Sequence, residues 1–405
     1  MRTTRTKKYR EFCVVCGKTQ PEGFQPFCSC GGMVDIAYDL EHARLYDSSD
    51  SLERYFDLLP LTSTEHLLPI EIEATPTLHA TRLGDELGLP RLYLKNESVL
   101  PTGTTKDRMA AIGLPYLIEK GVRRFATSST GNSSTAYARL MPLAPECTCY
   151  IFTAEDFKDR VQFTDCDQVH HLVLRDATFV EAFDAAKEYA DNHGLTPERG
   201  FFNPGRREGL KLAFLEAAEQ VPHAIDWYVQ AVSSAMGVYG TFKGAKELRS
   251  IGRTSSVPRL LCVQQESCCP MVRSFEAGSP KILPEAIIDR PAGIASAILR
   301  GNPTGVYPYV REIVLESGGS MVAVSETEIR EARSMIEELE GLSPCFSASA
   351  AFAGVVRKLR ESTLPPEHTI LVNLTGSDRL KRERVGPHQW MARCEDGWEV
   401  EAGDH

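Results

Sequence analysis

The sequence predicts an α/β protein with two doubly wound parallel-sheet domains and a small N-terminal segment of the zinc-ribbon type. Apolar runs typical of buried strands alternate along the chain with longer runs of helical spacing. Strands separated by helices imply right-handed crossovers and parallel sheets with helices on both faces. Several apolar runs end in small polar residues, and open α/β sheets bind ligands at the carboxyl ends of their strands. A cleft between two α/β halves is therefore the expected ligand site.

Individual strands and helices can be assigned in chain order from these patterns. Short buried strands are expected at residues 93–95, 124–127, 169–174, 227–232 and 370–374. One helix is indicated by apolar residues at helical spacing before a capping glycine, namely Phe179, Phe183, Ala186, Ala190 and Gly194. A second helix is indicated in the same way by Ile329, Ala332, Ile336, Leu339 and Gly341. The tail after Arg384 is polar and is expected to be irregular.

The chain length fits two or three domains, because a domain has roughly 150 residues and the chain has 405. We expect a zinc-ribbon-like segment at 1–45 and an N-terminal α/β domain at 46–222. A C-terminal α/β domain is expected at 223–390, followed by a polar tail at 391–405.

Composition and charge argue against some classes of binding partner. The content of 42% hydrophobic and 25% charged residues is ordinary for a globular protein. The formal net charge of −10 argues against a nucleic-acid surface, because phosphate binding needs a basic face. No apolar run reaches membrane length, and the basic start lacks the apolar stretch of a secretory signal. We therefore expect a cytoplasmic protein with neither nucleic acid nor a membrane as its partner.

Four of the twelve cysteines cluster near the start of the chain, as Cys13-x-x-Cys16 and Cys28-x-Cys30. Two close thiol pairs can complete a tetrahedral zinc site and stabilise a segment too short to bury a core. Because the second pair is one residue shorter than Cys-x-x-Cys, a metal-free remnant ribbon is the alternative. The other cysteines, including those at 268, 269 and 345, are expected to be core or cleft thiols.

Four turns rich in small polar residues follow strand-like runs. The first, PTGTTKDRMA at 101–110, places Lys106 at the start of a helix. A lysine at a partly buried junction of this kind loses its proton more easily, so that its amine becomes nucleophilic. A surface lysine that begins an amphipathic helix is the alternative. The other turns are SSTGNSS at 128–134, SSAMG at 233–237 and TGSD at 375–378.

In this order, the four turns resemble those of the threonine synthase family, pyridoxal-phosphate (PLP) enzymes of fold type II in the tryptophan synthase beta-like superfamily. The resemblance extends from about Ala74 to Arg382. It also includes FNPGRREGLKLAFLE at 202–216, GNP at 301–303, ESGG at 316–319 and SASAAFAGV at 347–355. An ordered series of matches is far more specific than any one of them. The resemblance implies two α/β domains flanking a PLP cleft.

The resemblance also implies a cofactor site built from the four turns. Lys106 is expected to form a Schiff base with PLP and to be the catalytic residue. Asn132 matches the residue that bonds the hydroxyl of the cofactor ring, and Thr375 matches the hydroxyl residue beside the pyridine nitrogen. The phosphate cup, in the family rich in glycine and asparagine, falls on Ser233, Ser234, Ala235, Met236 and Gly237. The alternatives are an ordinary serine-capped helix at the cup and simple turn residues at Asn132 and Thr375.

Substrate contacts are implied by the same matches. Ser129, Thr130 and Ser133 are expected near the carboxylate of an amino acid or near a leaving phosphate. Arg206 matches an arginine that the family uses for the substrate phosphate, and a guanidinium suits phosphate because its planar fork donates hydrogen bonds in pairs. Arg207 beside it, or a solvated arginine pair, is the alternative.

The implied reaction converts O-phosphohomoserine and water to threonine and phosphate by γ-elimination and β-addition. The resemblance therefore implies a PLP-dependent lyase of amino-acid biosynthesis. We expect this enzyme to be a homodimer. Thr105 stands where the family has an aromatic residue, and CFSASAA from Cys345 replaces Cys-Glu-Pro-Ala-Ser-Ala-Ala. These departures leave open a cysteate synthase-like or specialised replacement enzyme that acts on another phosphorylated or acylated amino acid. A serine or threonine dehydratase, a non-catalytic PLP-binding paralogue and a zinc-ribbon nucleic-acid adaptor are the remaining alternatives.

Overall fold

The computed structural model describes residues 8–378, 386–395 and 397–401. Within these ranges the strands are β1 (Tyr9–Cys13), β2 (Val34–Tyr38), β3 (Thr77–His79), β4 (Leu92–Asn96), β5 (Arg124–Ser128), β6 (Thr148–Ala154), β7 (Val169–Leu174), β8 (Thr196–Pro197), β9 (Trp227–Ala231), β10 (Arg259–Gln265), β11 (Ser320–Val324), β12 (Ile370–Leu374), β13 (Gln389–Cys394) and β14 (Gly397–Val400). The α-helices are α1 (Ser51–Arg54), α2 (Thr81–Leu87), α3 (Lys106–Glu119), α4 (Asn132–Leu140), α5 (Phe179–His193), α6 (Pro204–Leu210), α7 (Leu212–Gln220), α8 (Met236–Ser250), α9 (Pro270–Glu276), α10 (Tyr307–Glu316), α11 (Glu326–Glu340) and α12 (Phe346–Arg360). The expected segments 1–45, 223–390 and 391–405 each include residues that lie outside the described ones.

The chain forms two compact units that are interleaved along the sequence. Unit 1 comprises Met1–Glu73, Lys106–Gly209 and Leu380–His405, and unit 2 comprises Ala74–Thr105 and Leu210–Arg379. They differ from the consecutive domains that the sequence suggests, because β4 hydrogen-bonds in parallel with β12 and so joins the sheet of unit 2. Lys106 is the residue at which the chain crosses back into unit 1.

Unit 1 contains a six-stranded sheet and a separate hairpin. The sheet has the order β14-β13-β7-β6-β5-β8, and its pairs are parallel except for β13 with β14. The hairpin pairs β1 with β2 in antiparallel register, with Cys13 opposite Val34. The prediction of an irregular tail is wrong for β13 and β14, because the buried Met391 gives β13 an apolar anchor in the core beside β7.

Unit 2 contains the second six-stranded sheet, of order β11-β10-β9-β12-β4-β3, in which β3 alone is antiparallel to its neighbour. Every residue of β9, β12 and β4 is buried. Strands buried on both faces are typical of a parallel sheet covered by helices. The core of the unit joins apolar side chains of these strands to those of α11 and α12.

The predicted α/β class with parallel sheets is confirmed, and so are the elements assigned from the sequence. The five expected strands coincide with β4, β5, β7, β9 and β12 to within one residue at each end. The two expected helices are α5 and α11, and their capping glycines Gly194 and Gly341 have left-handed φ values of 62° and 69°. In the described ranges, no helix combines the length and the apolarity needed to cross a membrane.

Candidate active site

Lys106 is the first residue of α3, at the helix start predicted from the sequence. Thr105 before it donates its backbone N–H to the carbonyl of Thr375 at 2.9 Å. Two of the predicted turns therefore meet in unit 2, directly before the lysine. The Lys106 side chain is half-buried. Desolvation of its amine, together with the nearby positive charge of Arg206, lowers the pKa of Lys106 to about 8. A substantial fraction of the amine is then neutral and nucleophilic at mildly alkaline pH.

The approach of α6 to α3 brings Arg206 near this lysine. A Cβ at Gly209 would overlap the carbonyl oxygen of Arg108, and a Cβ at Gly205 would lie 2.8 Å from the Cβ of Tyr116. The backbones can approach this closely only because both positions are glycine. Arg206 lies between the two glycines on α6, so the packing of α6 on α3 fixes where its charge lies.

Arg206 is only 3% exposed and belongs to a buried polar network. Its Nε pairs with Oε1 of Glu198, and its Nη2 donates to Oγ1 of Thr127 at 3.1 Å. The guanidinium lies 5.2 Å from the ring centre of Tyr137, whose hydroxyl also donates to Glu198, at 2.9 Å. Among the described residues, no hydrogen bond uses Nη1 of Arg206. The network therefore orients the guanidinium.

The turn at 128–134 is organised by Ser129. Its hydroxyl accepts hydrogen bonds from the backbone N–H groups of Gly131 and Ser134, both at 3.1 Å. Gly131 has a φ of 114°, and a Cβ there would lie 2.6 Å from the Cβ of Arg160, so the turn needs glycine. Asn132 then begins α4. The Ser129 hydroxyl is thus already used to shape the loop, and its role as a substrate contact stays a prediction.

Other hydroxyl groups of this turn make fewer hydrogen bonds than that of Ser129. The Oγ of Ser128 is buried and has no hydrogen-bond partner in the described chain. Leaving a buried hydroxyl unpaired costs about 1–3 kcal/mol, so the position suits a polar group of a ligand. Thr130 is half-buried and Ser133 is buried, at 5% exposure, on the same turn.

The cup predicted at 233–237 lies in unit 2, where β9 leads into the fifteen-residue helix α8. No side chain caps this helix, and Ala235 before it has a left-handed φ of 57°. The hydroxyls of Ser233 and Ser234 make no hydrogen bond within the described part of the chain. A Cβ at Gly237 would lie 2.8 Å from Nε2 of Gln230, so the loop is too closely packed for a side chain there. An uncapped helix start with two uncommitted hydroxyls suits a phosphate.

Thr375 directly follows β12 in unit 2, and its backbone carbonyl holds Thr105. Its hydroxyl has no hydrogen bond to any described residue. The next residue, Gly376, accepts from the N–H of Cys345 at 3.0 Å and forms a β-bridge with Thr104. The loop is therefore fixed by its backbone while the threonine hydroxyl remains available to a ligand.

The predicted site residues thus fall into two groups. Lys106, Asn132, Arg206 and the hydroxyls of the 128–134 turn belong to unit 1, whereas the cup and Thr375 belong to unit 2. Sequence reasoning missed Glu198 and Tyr137, since a single glutamate and a single tyrosine carry no pattern. It also missed the contact that Gly205 and Gly209 make with α3, although two glycines in the helical stretch PGRREGL are a signal of close packing.

Four thiols meet beside the β1–β2 hairpin. The Sγ atoms of Cys13, Cys16, Cys28 and Cys30 lie within 4.8 Å of one another. Those of Cys13 and Cys30 are 3.5 Å apart, and those of Cys16 and Cys28 are 3.7 Å apart. Tetrahedral zinc with Zn–S bonds of ~2.3 Å needs sulfurs roughly 3.8 Å apart, so the shorter Cys28-x-Cys30 pair does not prevent a fit. A hydrogen bond from the backbone N–H of Cys30 lowers the pKa of Cys28 to about 6, which favours the thiolate that binds metal.

Known proteins match the chain over most of its length. The profile of the family described as "Pyridoxal-phosphate dependent enzyme" matches residues 69–376. The threonine synthase of Methanosarcina acetivorans is 28% identical over 379 residues, which are 91% of each chain. The cysteate synthase of Methanospirillum hungatei JF-1 is 27% identical over 385 residues, or 91% of this chain and 89% of that protein.

Solved structures share the fold. A threonine deaminase from T.th. superposes with a TM-score of 0.62 at 22% identity, covering 76% of this chain and 93% of that one. Maize serine racemase gives a TM-score of 0.62 at 20% identity, covering 76% and 89%.

Proposed function

Because the chain belongs to the family of pyridoxal-phosphate-dependent enzymes, we propose that it is a threonine synthase-like lyase. The reaction is the conversion of O-phosphohomoserine and water to threonine and phosphate. The observation that carries this proposal is Lys106, a helix-opening lysine with a pKa of about 8 beside an arginine whose Nη1 has no hydrogen bond to any described residue. The extended similarity to threonine synthases supports the substrate class.

The residues present fit the cofactor. The Lys106 amine would hold its aldehyde carbon, and the uncapped start of α8 with Ser233 and Ser234 would hold its phosphate. The uncommitted hydroxyl of Thr375 would lie at the pyridine nitrogen, and Asn132 at the ring hydroxyl. A neutral donor at the ring nitrogen favours elimination and replacement over transamination. When bound, the cofactor supplies an electron sink for charge that develops at the α carbon of the substrate.

The chain itself supplies proton transfer and anion binding. In its neutral form, Lys106 removes the α proton of the substrate, moves protons among neighbouring carbons and returns one at the end of the reaction. Nη1 of Arg206 binds the phosphate that leaves the γ carbon, while Glu198 and Thr127 hold the guanidinium in place. Hydroxyls of the 128–134 turn orient the carboxylate. Water then adds at the β carbon.

A cysteate synthase-like reaction is the second candidate, because relatives with that name match equally long stretches of the chain at 24–29% identity. Such an enzyme would replace the phosphate of phosphoserine with sulfite. The same lysine and arginine would serve, so only the substrate separates the two candidates.

Turnover by the holoenzyme tests both candidates. We would measure phosphate and amino-acid products with O-phosphohomoserine, with phosphoserine plus sulfite, and with O-acetylated analogues. The expected result is equal release of phosphate and threonine from the first substrate. Lys106→Ala is expected to lower kcat about 10²- to 10⁴-fold, since it removes the proton-transferring amine. Arg206→Gln is expected to raise KM, whereas Arg175→Gln, which removes an exposed arginine paired with Glu401, serves as the matched control.

If phosphate is released only from phosphoserine with sulfite, threonine formation is excluded and the cysteate synthase-like reaction is supported. Release of acetate alone would exclude both, and would indicate an acylated substrate instead.

The four thiols support a structural zinc site, formed by Cys13, Cys16, Cys28 and Cys30. Metal analysis of the purified protein should find about one zinc per chain, and Cys28→Ser should lower that content. The homodimer, the cytoplasmic location and the boundaries of the ribbon segment at 1–45 stay predictions from the sequence.

A further inference from the structure

The hairpin of β1 and β2 docks on the two helices of unit 1 that carry Lys106 and Arg206. On α3, Tyr116 donates its hydroxyl to Oε1 of Glu11 in β1 at 3.0 Å. In the other direction, Tyr9 of β1 donates its hydroxyl to Oε1 of Glu119 at 2.9 Å. These bonds tie the hairpin to the helix that begins at Lys106.

The contact with α6 runs through Arg207, which is fully buried. Its Nη2 donates to the backbone carbonyl of Val34 at 2.6 Å and to Oδ1 of Asp35 at 3.2 Å, and both acceptors belong to β2. Its Nη1 donates to the carbonyl of Phe201 at 2.6 Å. Further along β2, Tyr38 donates its hydroxyl to Oε2 of Glu208 at 2.7 Å. Two successive residues of α6 are therefore bound to one strand.

We propose that Arg207 is a positioning residue, which anchors α6 to β2 and thereby sets where Arg206 presents its guanidinium to the substrate anion. The hairpin is then a part of the substrate site as well as a stabilising appendage. The inference rests on the proposed function, in which Arg206 binds the leaving group.

Helix α6 needs this anchor because its own contacts do not fix its position. It has seven residues, and a helix of that length is not stable without tertiary contacts. Its glycines allow close approach to α3 but add no side-chain packing. A buried guanidinium with three fixed acceptors is a directional restraint, because each lost acceptor leaves a buried donor unpaired. Loss of the anchor should therefore let α6 move and should displace Arg206.

The thiol cluster lies at the same end of β2 as this anchor. Cys13 is the register partner of Val34, whose carbonyl accepts from Arg207. A bond that fixes the thiols would therefore fix Cys13, which pairs with the residue of β2 that accepts from Arg207.

The test compares Arg207→Met, Asp35→Asn and Tyr38→Phe with the matched control Tyr46→Phe. Tyr46→Phe, like Tyr38→Phe, removes a hydrogen bond from a tyrosine hydroxyl to a carboxylate. Here the acceptor is Asp57, at 3.1 Å, and the bond lies on an exposed surface. Two quantities are measured on the full-length holoenzyme. One is the hydrogen exchange of residues 204–210 without substrate, with α5 as the internal reference. The other is kcat and KM for the phosphorylated substrate.

In Arg207→Met we expect exchange of α6 to speed up at least about tenfold, which corresponds to ~1.4 kcal/mol of local opening. KM should rise about tenfold or more while kcat changes less than threefold. The two milder variants should shift both quantities in the same direction by about threefold, and Tyr46→Phe should change neither. If Arg207→Met does not fold, the milder variants decide the question.

Unchanged exchange of α6 in Asp35→Asn and Tyr38→Phe, in protein whose α5 keeps its protection, would overturn the proposal. A tenfold fall of kcat with no change in KM would also overturn the proposal, because Arg206 would then not be the group that is displaced. If the wild type releases no phosphate from any substrate offered, the proposed function fails, while the exchange data still decide whether Arg207 holds α6.

Discussion

Removal of the Glu198 carboxylate is predicted to destabilise the fold strongly. Its Oε1 accepts from Arg206, from the Tyr137 hydroxyl at 2.9 Å and from Nδ2 of Asn203 at 2.9 Å. Its Oε2 accepts from the N–H of Gly200 at 3.1 Å. The side chains of Glu198 and Arg206 are 1% and 4% exposed. Truncation of Glu198 therefore leaves a buried guanidinium without its counter-charge and several buried donors without an acceptor.

The expected cost of Glu198→Ala is about 3–5 kcal/mol of unfolding free energy, the range found when one partner of a buried ion pair is removed. Glu198→Gln keeps the shape and most of the acceptor positions but loses the charge, so we expect roughly 2 kcal/mol. Glu316→Ala breaks a pair with Lys246 whose side chains are 45% and 56% exposed. It is the matched control and should cost less than about 1 kcal/mol.

Urea unfolding of the three variants, followed by circular dichroism, gives these differences from the shift in midpoint at constant slope. The order expected is Glu198→Ala, then Glu198→Gln, then Glu316→Ala. A Glu198→Ala cost no larger than that of the surface control would refute the reasoning, because it would mean that Arg206 finds solvent or another partner when Glu198 is absent.

Three further predictions concern the lysine, the helix contact and the thiols. The pKa of Lys106 is about 8 in the folded chain against an ordinary 10.5, so the unfolded chain binds more protons between these pH values. The unfolding free energy of the cofactor-free protein should therefore rise from pH 8 to 10.5, and Lys106→Met should abolish this increment. Gly209→Ala should cost about 1–3 kcal/mol in the same urea assay despite the better helix propensity of alanine, since its Cβ meets the Arg108 carbonyl; a stabilised variant would contradict the close approach. Chelation of zinc should lower the melting temperature and speed hydrogen exchange in β1 and β2, with α11 unaffected; unchanged exchange would argue for a metal-free ribbon.

Local patterns in the sequence are sufficient for most of the secondary structure. Buried strands such as β7 and β12 are short apolar runs, and α5 and α11 combine regular apolar spacing with a glycine that takes a left-handed conformation after the last turn. Lys106 is placed at the start of a helix for the same reason, because the small polar residues before it cannot continue a strand. These features depend on neighbouring residues alone.

Features that depend on distant residues are not predictable in the same way. The pairing of β4 with β12 joins residues more than 270 positions apart, and it moves the segment before Lys106 into unit 2. The C-terminal strands β13 and β14 mix polar and apolar residues without regular spacing, and the place of β13 in the sheet depends on a distant partner, β7. Glu198 is buried only because Arg206, Tyr137 and Asn203 converge on it from other elements.

The contacts of the seven-residue helix α6 show how one short helix could connect Arg206 to the hairpin that carries the thiol cluster. Successive side chains on a helix point about 100° apart, so consecutive residues contact different neighbours. Gly205 and Gly209 lie against α3, Arg206 joins the Glu198 network, and Arg207 and Glu208 bind β2. All five of these residues are buried, so we expect a shift of the hairpin to be transmitted along the helix. We expect such a shift to reach Arg206 and to alter the smaller contribution that its charge makes, after desolvation, to the lowered pKa of Lys106.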